Sequence, residues 1–257
     1  MKGERVGQCA ALPILDAMRP TTVATLITVG ALGLAACGGD EEPGAAARTN
    51  TQAAAPAKAM DGTGCRPVKA PAPKGAQNLE APRLNLRGDG YIAAMKTNCG
   101  TIEIRLTLEK APETVASFVS LARMDFFDNL TFHRIGQDPS GADFVIQGGD
   151  PEGTGQGGPG YSVVEAPPED VTYDRGTVAM AKTEIEDPGT SGSQFFIVTA
   201  DDAQLPPDYA LLGEVVGGMD VVSAIADVAT DPTTEMPLSP VVIQDVTITQ
   251  TGGDREK

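Results

Sequence analysis

A mainly β architecture, a barrel or a sandwich capped by two helices, is the fold class that the sequence predicts. Three observations carry it. Short apolar or alternating runs recur between clusters of Gly and Pro, as strands joined by tight turns do. Two stretches keep helical spacing. Strand and helix patterns do not alternate along the chain, which removes the parallel α/β folds. The 30 Gly and 20 Pro among 257 residues supply turns without reaching low-complexity composition, and no internal repeat is evident.

The first strand pair is Tyr91 to Thr97 and Thr101 to Leu108, which alternate or run apolar around Asn98-Cys99-Gly100, an Asn/Gly turn signal. Pro112 follows where the first turn of a helix tolerates proline. Val115, Phe118, Val119 and Ala122 then fall at i, i+3, i+4 and i+7, which makes one apolar face. Further strands are expected at Thr131 to Ile135, Phe144 to Gln147, Thr177 to Ala181, Phe195 to Val198 and Leu211 to Val216. A second helix, Met219 to Val228, collects Val221, Val222, Ile225 and Val228 on a broad apolar face, and Val241 to Thr249 alternates as a closing strand.

Aromatic residues and charge locate the domain. Trp is absent, and the 4 Tyr and 7 Phe all lie between Tyr91 and Tyr209, so the residues before Tyr91 are not expected to hold a core. Residues 91–257 carry 9 basic and 27 acidic side chains and set the sign of the formal net charge of −16. A domain this acidic repels polyanions, because nucleic-acid affinity rests on Lys and Arg releasing counterions from phosphates. No nucleic-acid partner is expected. The single histidine, His133, and four widely spaced cysteines, Cys9, Cys37, Cys65 and Cys99, exclude multi-His metal sites and zinc ribbons. No metal and no cofactor are expected.

The N-terminus reads as an address. Met18 to Cys37, MRPTTVATLITVGALGLAAC, places Arg19 before a largely apolar stretch and small residues before a cysteine, the order of a secretory signal. The stretch is shorter than the roughly 20 apolar residues of a membrane span and carries four Thr. Residues before Met18 add nothing that a signal needs, so Met18 stands beside Met1 as a candidate start of translation. The tail Leu34-Ala35-Ala36-Cys37 resembles the lipobox of bacterial lipoproteins, which implies a lipid on Cys37 and an extracytoplasmic, membrane-anchored protein. From Gly38 to Gly64 the only large apolar residue is Met60. Such a composition favours a flexible tether, with a mean reach of about 30 Å. Outside the cytoplasm the pair Cys65 and Cys99 is a disulfide candidate that would pin the Pro-rich arm beginning at Cys65 to the first strand region.

Two motifs invite other chemistry. Gly153-Thr154-Gly155-Gln156-Gly157-Gly158 suggests a phosphate loop, but it lacks the fingerprint spacing and the P-loop Lys. The prolines after it also bar the helix whose N-terminus would hold phosphate, so a tight loop beside a site is expected. His133 and Ser193 invite a hydrolytic triad, but Gly192-Ser193-Gln194 is no nucleophile elbow. A structural role for His133 is expected, and Phe195-Phe196 taken alone read as core.

Taken together, these segments change meaning. Phe132-His133-Arg134-Ile135, Phe144-Val145-Ile146-Gln147-Gly148-Gly149-Asp150, Gly155 to Gly158, Met180-Ala181 and Gly192-Ser193-Gln194-Phe195-Phe196-Ile197 stand in one order. In that order they resemble the cyclophilin family of peptidyl-prolyl isomerases over about residues 90–250. The resemblance implies a closed eight-stranded antiparallel β-barrel capped by two α-helices. It implies Arg134, Gln147 and Phe144 as the catalytic residues, with Arg134 hydrogen bonding to the proline nitrogen in the twisted transition state. A proline pocket would follow from Phe144, Val145, Phe196 and Leu205, with Tyr209 at its rim. Gln147 and Ala181 would hold the peptide backbone, with Gln194, Lys182 and Gly155 nearby. Four positions depart from the best-known eukaryotic pattern: Val145 for a methionine, Lys182 for an asparagine, Gln204 for a tryptophan and Tyr209 for a histidine. The change at Gln204 predicts weak affinity for cyclosporin, measurable as poor inhibition.

The expected organisation is a signal over 1–36, a lipid-attached linker and Pro-rich arm over 37–85, an isomerase domain over 86–252 and a polar tail over 253–257. The expected function is rotation of X-Pro bonds in exported proteins, performed by a monomer. A second reading keeps the scaffold as a binder of Pro-containing segments without turnover.

Overall fold

The computed structural model describes residues 64–251 apart from 84 and 89. The candidate signal, the lipidation residue Cys37, most of the tether and the polar tail lie outside the described residues. The chain enters the domain through an extended arm. Its first fixed point is a disulfide between Cys65 and Cys99. Asn98 reinforces it: its buried amide donates to Arg66 O at 2.8 Å, and its Oδ1 accepts from Val242 N–H at 2.7 Å. Further on, Lys74 N–H donates to Pro151 O and Leu79 N–H to Pro159 O, both at 2.8 Å. Leu79 and Leu86 pack on the core, so apolar residues before Tyr91 contribute to it after all.

Ten strands and two helices follow: β1 (Gly90–Thr97), β2 (Thr101–Leu106), α1 (Pro112–Arg123), β3 (Leu130–Gln137), β4 (Asp143–Gly148), β5 (Val163–Val164), β6 (Thr177–Met180), β7 (Thr190–Ser191), β8 (Phe195–Val198), β9 (Leu211–Gly217), α2 (Met219–Ala226) and β10 (Val242–Thr251). Eight of them close an antiparallel barrel in the order β1-β10-β3-β4-β8-β6-β9-β2, and β5 pairs with β7 alone. The expected strands and helices form within a few residues of their anticipated ends. The β5–β7 pair escaped the sequence pattern, because two residues cannot display a period.

Side-chain alternation gives every barrel strand an inner face. Met95, Ile104, Ile146, Val178, Ile197, Leu212 and Ile243 come from seven different strands and meet in one buried cluster. Phe118 of α1 closes it against Phe127 and Phe195, with ring centroids 4.8 and 6.1 Å away. Helix α1 starts with Pro112 and has no side-chain cap of its own. Instead Glu165, distant in sequence, accepts the Thr114 N–H at 2.9 Å. A carboxylate there satisfies orphan amides and complements the helix dipole.

Candidate active site

The site grows from a row of cross-strand neighbours. Arg134 stands opposite Gln147, Gln147 opposite Phe196, and Phe196 opposite Ala179. Directly opposed residues share a face, so these four side chains lie side by side across β3, β4, β8 and β6. The adjacent row, Ile135, Ile146, Ile197 and Val178, belongs to the barrel core. The first row therefore faces outward.

A bulge in β3 makes that possible. Phe132 pairs with Gly148 and Arg134 with Gln147, so His133 is an extra residue in the ladder. Strict alternation would leave Arg134 on the inner face with Phe132. With the bulge, Phe132 and Ile135 both point into the core and Arg134 turns outward. His133 is buried at 7% exposure. Burial holds its imidazole below the ordinary range, against the opposing pull of the Asp150 carboxylate.

Behind the row, a second apolar cluster forms on the outer face. Val145, Tyr173, Ala179, Phe196 and Val198 are buried there, with Phe144, Ala181, Leu205 and Tyr209 packed against them. They floor a cavity of about 140 Å³ lined by Arg134, Phe144, Val145, Gln147, Ala181, Lys182, Phe196, Leu205 and Tyr209. A small apolar ring fits a space of this size. Phe196 and Tyr209 meet edge to face at 5.3 Å, and the Lys182 ammonium lies 5.8 Å from the Tyr209 ring centroid. Tyr173, which sequence reasoning missed, fixes the rim. Its hydroxyl donates to Tyr209 O at 2.7 Å and accepts from Tyr209 N–H at 3.1 Å. Burial, partly offset by the bond to Tyr209, pushes this phenol up to about 12.

Polar groups continue the row in one chain of hydrogen bonds. Arg134 Nη1 donates to Gln147 Oε1 at 3.4 Å, Gln147 Nε2 to Gln194 Oε1 at 2.9 Å, and Gln194 Nε2 to Gly157 O at 2.8 Å. Gln194 and Gly155 do not line the apolar cavity. They border a neighbouring polar one of about 540 Å³, shared with Gln147, Ala181 and Lys182 and walled on one side by Ala76 and Gln77 of the arm. Gln204 is exposed and lines a third cavity, of about 380 Å³, with Arg134 and Phe144.

The glycine loop owes its shape to Asp150. The backbone N–H groups of Glu152, Thr154 and Gly155 donate to its carboxylate at 2.7, 2.8 and 2.5 Å. Burial raises its pKa, but these bonds and one from Gly157 outweigh it and leave the carboxyl below its ordinary range. A Cβ at Gly157 would collide with Asp150 Oδ1. Amides of this loop are thus already engaged by a carboxylate instead of being free to cradle a phosphate. The Gly-Asp-Pro run at 149–151 was a turn signal that could have marked Asp150. Ser193 donates to Gly149 O at 2.8 Å and is buried, so it holds the loop.

Arg134 also carries an ion pair. Its Nε lies 2.5 Å from Glu235 Oε2. No motif marked Glu235, which stands in an irregular loop after α2.

Comparison with known proteins agrees with this fold. Residues 92–248 match the family model of cyclophilin type peptidyl-prolyl cis-trans isomerases. A peptidyl-prolyl cis-trans isomerase B of Streptomyces anulatus is 42% identical over 174 residues, spanning 61% of this chain and 95% of that protein. Two crystal structures of a Cryptosporidium parvum cyclophilin type peptidyl-prolyl cis-trans isomerase share its fold at 30% identity. The first covers 63% of this chain and 99% of its own with a TM-score of 0.57. The second, in the presence of the dipeptide Ala-Pro, covers 62% and 99% with a TM-score of 0.55. With a closed barrel, a matching family model over most of the domain and relatives of that activity, the chain belongs to the cyclophilin family and is a peptidyl-prolyl cis-trans isomerase.

Proposed function

We propose that Arg134 drives the isomerisation by hydrogen bonding to the prolyl nitrogen as the X-Pro amide twists. Rotation about this bond breaks amide resonance, against a barrier of roughly 18–20 kcal/mol. The twisted nitrogen gains a lone pair that the planar amide lacks. A fixed cationic donor is therefore bound more strongly in the transition state than in the ground state, the condition for catalysis. A guanidinium suits the task because its charge is permanent and its fork rigid. No bond is made or broken, so neither nucleophile nor metal is needed.

The observation that carries this reading is the position of Arg134 at the wall of the apolar cavity, bonded to Gln147. The prolyl ring enters among Phe144, Val145, Phe196, Leu205 and Tyr209. Gln147, Ala181 and Gln194 hold the flanking backbone, Lys182 and Gly155 border it, and the polar cavity takes the residues before proline. A structure of a family relative in the presence of Ala-Pro supports this class of ligand. In a protease-coupled assay on an X-Pro peptide, Arg134→Ala is expected to lose roughly 100-fold or more in kcat/KM with the fold retained. Wild-type rates in Arg134→Ala would overturn the role of Arg134, and negligible rates in both proteins would leave only a binder of Pro-containing segments.

The same protein serves exported clients as a monomer held to the outer side of a membrane through a lipid on Cys37. The signal-like order of Met18 to Cys37 supports this, as does the Cys65–Cys99 disulfide, a bond favoured in oxidising surroundings and rare in the cytoplasm. Cys37→Ser is expected to release the protein from the membrane fraction. Retention of that variant in membranes would refute the anchor.

A further inference from the structure

Arginine has several rotatable bonds, so a guanidinium that must meet one nitrogen needs restraint. Given Arg134 as the donor to that nitrogen, we infer that Glu235 is its positioning residue, holding the guanidinium by Nε so that Nη1 faces Gln147 and the proline cavity.

Three features converge on this arrangement. The Glu235 carboxylate takes Nε at 2.5 Å, at a site where both side chains are about one-third exposed, 35% for Arg134 and 33% for Glu235. Engaging Nε leaves both Nη groups outward of the contact, and Nη1 reaches Gln147 Oε1 at 3.4 Å. Beneath the fork, Gly136 leaves room: a Cβ there would come within 2.9 Å of Arg134 Nη2. The guanidinium is thus held at one edge by Glu235 and at one tip by Gln147, over a face that Gly136 keeps clear.

The loop that carries Glu235 is built to present it. Glu235 has φ 57, the left-handed region that a residue with a Cβ occupies at a cost. Two backbone bonds maintain it: Glu235 N–H donates to Asp231 O at 2.8 Å, and Ile135 N–H, next to Arg134, donates to Glu235 O at 2.9 Å. Asp231 fastens the turn before it by accepting the N–H groups of Thr233 and Thr234, both at 2.9 Å. Backbone conformation and side-chain reach both serve the contact with β3.

The unusual φ supplies a clean test. Glycine adopts that conformation freely, so Glu235→Gly removes the carboxylate while relaxing the loop, and Glu235→Gln keeps an acceptor oxygen for Nε. Full-length variants are compared in kcat/KM on an X-Pro peptide, in peptide Kd by NMR titration and in melting temperature. Glu235→Gly is expected to lose about 10-fold in kcat/KM at unchanged Kd and melting temperature, Glu235→Gln to stay within about 3-fold of wild type, and Glu235→Gly to cost nothing further in Arg134→Ala. A merely structural glutamate would be rescued by glycine. Wild-type or higher activity in Glu235→Gly, or an equal fractional loss with and without Arg134, overturns the inference. Full activity in Arg134→Ala instead strikes the role of Arg134 itself, so the two failures are distinguishable.

Discussion

The two faces of β4, β8 and β6 are made of similar residues and do different work. On the inner face, Ile146, Phe195, Ile197, Val178 and Met180 join a cluster that draws on every barrel strand and α1. On the outer face, Val145, Phe196, Val198 and Ala179 form a small cluster with Tyr173, against which Phe144 of β4, Leu211 of β9 and loop residues such as Leu205 and Tyr209 pack. Phe195 and Phe196 are neighbours in sequence, 0% and 4% exposed, and nearly equal by burial alone. Their surroundings separate them. Phe195 meets the rings of Phe118, Phe127 and Phe132 within about 6 Å in closed packing. Phe196 meets Tyr209 and floors an open cavity. Burial against a closed core is spent on stability, whereas burial beside a cavity preserves a place for a ligand.

The sharpest way to break this contrast is to truncate each phenylalanine. Phe195→Ala is expected to destabilise the fold by about 3–5 kcal/mol, the usual cost of emptying an aromatic site in a closed core. Phe196→Ala opens into a space already continuous with solvent and should cost less, about 1–2 kcal/mol, while weakening peptide binding at least 10-fold. Urea unfolding and NMR titration measure the two. Equal destabilisation with equal loss of peptide binding would erase the distinction between the faces.

The disulfide offers a second test, since it joins the inner cluster through Cys65 and leaves the outer one untouched. Cys65 and Cys99 are separated by 34 residues, and closing a loop of that length restricts the unfolded chain by about 3–4 kcal/mol. Cys65→Ser/Cys99→Ser should lower the unfolding free energy by about that amount and leave kcat/KM of the folded protein near wild type. A large activity loss at full stability would tie the arm to the site instead.

The smallest effect belongs to His133, the bulge residue between the two faces. Its imidazole is held below the ordinary 6.5 by burial, so on acidification the unfolded chain takes up a proton that the folded protein refuses. Stability is therefore complete above pH 6.5 and declines as pH falls below it. Asp150, lowered from 3.8, adds a second decline below that value. His133→Asn should flatten the first decline in urea midpoints recorded between pH 7 and pH 5. An unchanged slope would show that other groups cause it.

Much of this was legible before any coordinate. Helical spacing marked α1 and α2, and the Asn-Cys-Gly turn placed the first hairpin, because these are local properties of backbone and side-chain period. The apolar run Phe195 to Val198 announced a strand, though not that all four residues would be buried or which face belonged to the site. Glu235 and Tyr173 were invisible. They act across long sequence separations, Glu235 from an irregular loop and Tyr173 through a backbone bond, and neither carries a periodic signature.

The sequence by itself determined the barrel strands, the capping helices and, through the order of its motifs, the residues gathered around the apolar cavity. Tertiary structure alone decided where those residues point. The bulge at His133 arises from pairing β3 with β4, and without it Arg134 would face the core beside Phe132. Its ion pair with Glu235 and its bond to Gln147 exist only once the loop after α2 closes on β3 and the barrel brings β4 alongside. Period is written in neighbouring residues, but aim depends on register between distant strands, which no single segment encodes.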